Sequence, residues 1–127
     1  FAEKDFGALS QGQRQIVILA RCIVQDSPVM LMDEPDSALD FLNRHMVLSK
    51  IRELIKEENK AGLITLHDPN FAMAYCDRLL LLKEGRLVGE LDMRRAKADE
   101  VKKKLSLIYG DIELLQSGDS FLMGKAL

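Results

Sequence analysis

No apolar run in this 127-residue chain approaches the roughly 18–20 residues that a helix needs to cross a bilayer. Neither sign of charge dominates. Eighteen Lys and Arg stand against twenty Asp and Glu, a formal net charge of −2. That balance argues against a nonspecific grip on nucleic acid or on an anionic membrane. Cysteine is scarce: Cys22 and Cys76 lie in apolar helical contexts without metal-ligand spacing. They read as reduced core thiols of a cytosolic protein. The opening Phe1-Ala2-Glu3-Lys4-Asp5 lacks the basic-then-apolar order of a signal peptide. It also lacks a starting methionine, which predicts a piece of something longer. There is no internal repeat, no low-complexity segment and no heptad run. What is present, 47% hydrophobic and 30% charged residues, suits one small soluble globular domain.

The most informative stretch is Val29-Met30-Leu31-Met32-Asp33-Glu34-Pro35. Four apolar residues run into two adjacent carboxylates and a proline. An uninterrupted apolar run predicts a strand buried on both faces, as in a parallel sheet covered by helices. Open α/β sheets bind ligands at the carboxyl ends of their strands, where these two acids stand. Pro35 discourages Glu34 from the helical region and stops the element.

The remaining pattern alternates helix and strand. Residues 12–25 read as a helix with Ser10 before it as a cap. Asp40 caps a second helix over about 41–59, with Gly62 as its stop. Leu63-Ile64-Thr65-Leu66 reads as a second buried strand. Asp68-Pro69 opens a short helix reaching about Cys76. Arg78-Leu79-Leu80-Leu81-Leu82 turns through Glu84-Gly85 into a hairpin partner. A charged helix is expected over about Arg94 to Leu107. The tail from Ser117 reads as loose. This order predicts α/β, with parallel strands flanked by helices.

Several residues suit phosphate chemistry. Leu9-Ser10-Gln11-Gly12-Gln13 sits at a helix N-terminus, where backbone N–H groups and a close-approaching glycine favour an anion. Asp33 can hold Mg²⁺ through water, and Glu34 beside it can polarise a water for attack on a phosphoryl group. His67 ends a strand, where an imidazole can bond to a terminal phosphate or to the attacking water. His45 reads as a helix-surface residue. Each feature taken singly has a plainer explanation: a capped helix, an acidic turn, a surface histidine.

Together and in this order they resemble the ATPase subunit of ABC transporters. Leu9 to Gln13, continued by Arg14-Gln15, resembles the signature motif. Val29 to Glu34 resembles the Walker B strand with its catalytic glutamate. Ser37-Ala38-Leu39-Asp40 resembles the D-loop, and His67 the switch histidine. Asp77-Arg78 and Lys83-Glu84-Gly85-Arg86 match the family's usual ending. The resemblance covers about residues 7 to 115. It implies a partial P-loop NTPase (RecA-like) core preceded by the end of the helical subdomain. Its expected parts are a signature helix at about 9–26, a core part at about 28–92, and a C-terminal helix and tail at about 93–127.

Two departures stand out. Gln11 replaces the glycine most frequent there, and Gln tolerates positive φ poorly. Nothing matches G-x-x-x-x-G-K-[ST], the loop that cradles the β- and γ-phosphates. The chain therefore resembles the C-terminal half of such a subunit.

The resemblance implies a head-to-tail dimer of ATPase subunits sandwiching ATP and Mg²⁺. Ser10, Gln11, Gly12 and Gln13 would touch nucleotide held mainly by the partner. Glu34 would be the general base, Asp33 the magnesium-side carboxylate, His67 the γ-phosphate sensor and Asp40 a link between sites. The full-length parent is expected to hydrolyse ATP, and these residues alone are expected not to. The stretch Leu105 to Leu114 is similar to the ending of ATPases from iron-chelate and cobalamin importers. That implies membrane permease partners and a cytoplasmic, peripheral location on the inner face of the cell membrane, with no nucleic-acid partner. Two alternatives are a soluble ABC-type ATPase of DNA repair and a non-catalytic module completing a partner's ATP site.

Overall fold

The computed structural model describes residues 13–14 and 27–126. Gln13 and Arg14 are helical; the rest of the helix expected over 12–25, with Ser10, Gln11, Gly12 and Cys22, lies outside the described residues. The chain divides into two compact units, Phe1–His67 and Asp68–Leu127.

In the first unit, β1 (Val29–Asp33) leads to α1 (Phe41–Glu57), which returns the chain to β2 (Ala61–Thr65). The strands pair in parallel, from Val29 opposite Ala61 to Asp33 opposite Thr65. A parallel pair needs such a crossover, and α1 supplies it. Asp40 caps α1 as expected, its Oδ1 accepting from the Asn43 N–H at 2.8 Å. The stop differs from expectation. Asn59, in the left-handed region at φ 51°, ends α1, and the Lys60 N–H reaches the Ile55 carbonyl at 2.9 Å. Asparagine tolerates that conformation. Gly62 instead lies within β2, where a Cβ would collide with Ile55 Cδ1 of α1. Its role is close approach.

Burial on both faces of β1 does not hold. Met30 is buried, whereas Leu31 is 74% exposed and Val29 and Leu63 are about half exposed. Side chains alternate across a strand, so β1 has one sheltered and one open face. Met30, Val47, Leu48 and Ile51 are the buried apolar residues of this unit among those described. His45 is half-buried and edge-on to the Phe41 ring one turn before it.

The second unit contains α2 (Pro69–Tyr75), β3 (Arg78–Lys83), β4 (Arg86–Asp92), α3 (Ala98–Tyr109), β5 (Ile112–Ser117) and β6 (Ser120–Lys125). Asp68 caps α2, accepting from the Asn70 N–H at 2.8 Å. Glu84 (φ 51°) and Gly85 (φ 74°) are both left-handed, as a two-residue hairpin turn matching strand twist requires. Met73, Leu79, Leu81, Leu91, Val101, Leu105 and Ile112 form the core, with Cys76 packed against it as a free thiol.

Two expectations change here. The charged helix starts later, at Ala98, because Asp92 organises the preceding residues into a turn. Its side chain accepts from the Arg94 N–H and guanidinium, each at 3.1 Å, and its carbonyl accepts from the Ala96 N–H at 2.8 Å. These Arg94 contacts hold the Asp92 carboxyl below its ordinary range. The tail is not loose: β5 and β6 form an antiparallel hairpin around Gly118 (φ 59°). Phe121 and Met123 pack on the core. Asn70 pins β6, accepting from the Met123 N–H at 2.6 Å and donating to its carbonyl at 3.1 Å.

Candidate functional site

The carboxyl ends of β1 and β2 lie side by side because the register sets Asp33 opposite Thr65. Each strand then runs directly into a polar residue or two. From β1 come Asp33 and Glu34; from β2 come Thr65 and, two residues on, His67. The parallel pairing thus converts two separate sequence positions into one rim of acids and imidazole.

Hydrogen bonds fix that rim. The Thr65 hydroxyl donates to Asp33 Oδ1 at 2.5 Å and accepts from the Glu34 N–H at 2.8 Å. Glu34 itself is left-handed, at φ 47°, a conformation uncommon outside glycine, asparagine and aspartate. Its carbonyl accepts from the Ser37 N–H at 3.0 Å, closing a turn. His67 Nε2 contacts Glu34 Oε1 directly, and the His67 side chain is otherwise open to solvent at 87% exposure. Glu34 and His67 are therefore brought together, with Asp33 tied to them through Thr65.

The loop after the acids is anchored from below. Pro35 and Asp36 are buried. Asp36 Oδ2 accepts from Arg44 Nε and Nη2, both at 3.0 Å, which fastens the loop to the second turn of α1. Ala38 in the same loop is left-handed, at φ 63°. Asp40 follows as the α1 cap, one carboxylate oxygen committed to Asn43. Gln13 is half-buried in a helical turn; Ser10, Gln11 and Gly12 fall outside the described residues.

Two site residues were not singled out by sequence reasoning. Thr65 was read only as part of a buried strand, although a polar residue ending an apolar run two positions before His67 was a usable signal. Asp36 was passed over within an acidic turn, and its pairing with Arg44, eight residues away, has no short-range pattern.

Among the described residues, no group of three or more His, Cys, Asp or Glu could hold a metal unaided. Asp33 is nevertheless exposed, with Oδ1 taken by Thr65. A single hard carboxylate fits Mg²⁺, which keeps several waters and is bound through one or two carboxylates plus substrate phosphates. No helix among the described residues is long and apolar enough to cross a membrane.

The chain is similar to several known proteins. A family profile described as ABC transporter matches residues 1–37. The chain is 39% identical over 114 residues to the hemin import ATP-binding protein HmuV of Vibrio parahaemolyticus, covering 86% of the chain and 43% of that protein. It is 40% identical over 87 residues to the cobalamin import ATP-binding protein BtuD of Halobacterium salinarum, covering 68% and 22%. The fold matches a solved metal-chelate type ABC transporter in an inward-facing conformation. The TM-score is 0.75 at 30% identity, over 95% of this chain and 48% of that one. The expected P-loop NTPase class of α/β fold holds. The chain spans less than half the length of these relatives.

Proposed function

We propose, for a chain that belongs to the ATP-binding subunits of ABC transporters, that Asp33, Glu34 and His67 form the hydrolytic wall of an ATP site. The observation that carries this reading is the contact between Glu34 and His67 at the end of a parallel strand pair. A carboxylate and an imidazole there can share one water molecule. Glu34 takes a proton from that water as its oxygen attacks the terminal phosphorus, while the bond from that phosphorus to the bridging β-phosphate oxygen breaks and ADP leaves. His67 donates a hydrogen bond to the γ-phosphate oxygens and reports their presence. Since Glu34 and His67 touch each other, they must part to admit water and phosphate.

Asp33 would hold magnesium through water, and the ion would neutralise charge developing on the phosphoryl oxygens. Asp40, at the start of α1, would link this site to its twin across a head-to-tail dimer. Ser10, Gln11, Gly12 and Gln13 would close the partner's nucleotide. Catalysis of this kind is mostly positioning and electrostatics, so it needs a phosphate-cradling loop. These 127 residues contain no G-x-x-x-x-G-K-[ST] sequence. The chain is thus the C-terminal part of a nucleotide-binding domain, inactive alone and active within a protein that also carries that loop.

The transported substrate belongs to the import class, with an iron chelate or related compound favoured by the hemin and cobalamin proteins among its relatives. Membrane permeases are the partners, on the inner face of the cell membrane. Reconstitution of the loop-bearing protein with its permeases in vesicles tests this. ATP-dependent uptake of an iron chelate is expected. Uptake that proceeds equally with Glu34→Gln would sink the reading.

A further inference from the structure

We infer that Thr65 is the positioning residue of this site, a hydroxyl relay that sets both acids from the neighbouring strand. The inference rests on the proposed reading of Asp33 and Glu34. A hydroxyl has one proton to give and lone pairs to accept with. Thr65 spends the proton on Asp33 Oδ1 at 2.5 Å and accepts the Glu34 N–H at 2.8 Å. The direction of the chain is therefore fixed: Glu34 N–H to Thr65 Oγ1, then Thr65 O–H to Asp33. Bonds to a charged acceptor are the stronger kind.

Two consequences follow for the site. The first concerns Glu34. Its backbone sits at φ 47°, which a non-glycine residue holds only when its surroundings compel it. The bond to Thr65 is one such constraint, and the turn to Ser37 is the other. Thr65 thereby sets the direction in which the Glu34 carboxylate leaves the strand. The second concerns Asp33. Tying Oδ1 to β2 restrains the rotation of the carboxylate, so that Asp33 would hold magnesium through water in a fixed orientation. One side chain on β2 thus aligns a base and a metal-side carboxylate that are neighbours on β1, and the Asp33–Thr65 register is what lets it reach both.

The test separates hydrogen bonding from shape. Thr65→Val keeps the branched shape and removes both bonds, whereas Thr65→Ser keeps the hydroxyl and loses a methyl group. In the full-length, loop-bearing protein, Thr65→Val should lower kcat by about 10- to 100-fold, the scale of a misplaced catalytic group. KM for ATP should change little. Thr65→Ser should restore kcat to within about threefold of the parent. In the nucleotide-free protein, the Glu34 amide should exchange with solvent slowly in the parent and in Thr65→Ser, and fast in Thr65→Val. The reverse order, with Val active and Ser impaired, would show that Thr65 only packs and would overturn the inference. Unchanged Glu34 amide exchange in Thr65→Val would overturn it too. Glu34→Gln serves as control. If it abolishes turnover while Thr65→Val does not, the relay is wrong and the site stands. If Glu34→Gln turns over normally, site and relay fall together.

Discussion

Asp36 is the one charged side chain almost withdrawn from water among the described residues, at 4% exposure. Its partner Arg44 makes two bonds to a single carboxylate oxygen. Removing Asp36 forfeits both of these charge-assisted bonds. Asp36→Ala should therefore lower stability by about 2 kcal/mol, the scale of a hydrogen bond to a charged group, read as a shift in denaturation midpoint. A variant as stable as the parent would mean the loop is anchored otherwise. Gly62 gives a second prediction at this scale. A methyl group added there meets the end of the Ile55 side chain, which can move. Gly62→Ala should cost about 1–2 kcal/mol, as overpacking commonly does. Both residues show what a linear reading loses. Glycine commonly stands at a helix stop, which makes Gly62 look like one, but Asn59 already ends the helix. Thr65 and Asp36 bond to partners on other elements, so neither pairing shows in its own neighbourhood.

The elements themselves were more legible. The β1 run, the Asp40 cap, the Asp68-Pro69 helix start and the Glu84-Gly85 turn all rest on local chemistry, and all lie where the sequence put them. The β5–β6 hairpin did not, because Gly and Ser at its turn mimic a frayed tail while its apolar residues alternate weakly. What orders it is long-range: Met123 on the core and Asn70 across the backbone. Asp40→Ala should cost about 1 kcal/mol through the lost α1 cap, seen as a lower thermal midpoint. At the end of α3, burial first and the Asp68 charge second push the Tyr109 phenol above its ordinary range. The folded chain then keeps a proton that the unfolded chain has already released. This contribution is complete below the unfolded value, near 10, and is lost as pH rises through the folded one. Denaturation midpoints across about pH 8 to 11 should fall less steeply in Tyr109→Phe. Identical slopes would contradict the assignment.

At the scale of the whole molecule, the first unit shows water much apolar surface. Leu31, Phe41 and Leu42 are each about two-thirds exposed or more. Large exposed apolar side chains favour association. The 127-residue chain should bind a dye of apolar surfaces and self-associate with concentration, and Leu31→Lys should weaken both. A monodisperse monomer without dye binding would count against this. The expectation of a strand sheltered on both faces failed for the same reason: an apolar run reports a preference for burial, and cannot say which chain provides the cover. The site was half legible. Glu34 and His67 stand out as candidates from order and spacing, because those signals are local. Their contact could not, since it depends on the register of β1 against β2.

Glu34 as the proposed base of an ATP site is tested by steady-state ATP hydrolysis by the full-length, loop-bearing protein and by its Glu34→Gln variant, with ATP binding measured in parallel. Gln is isosteric but unable to take a proton, so turnover should fall by at least about 100-fold while ATP still binds. Equal turnover by the two proteins would contradict it.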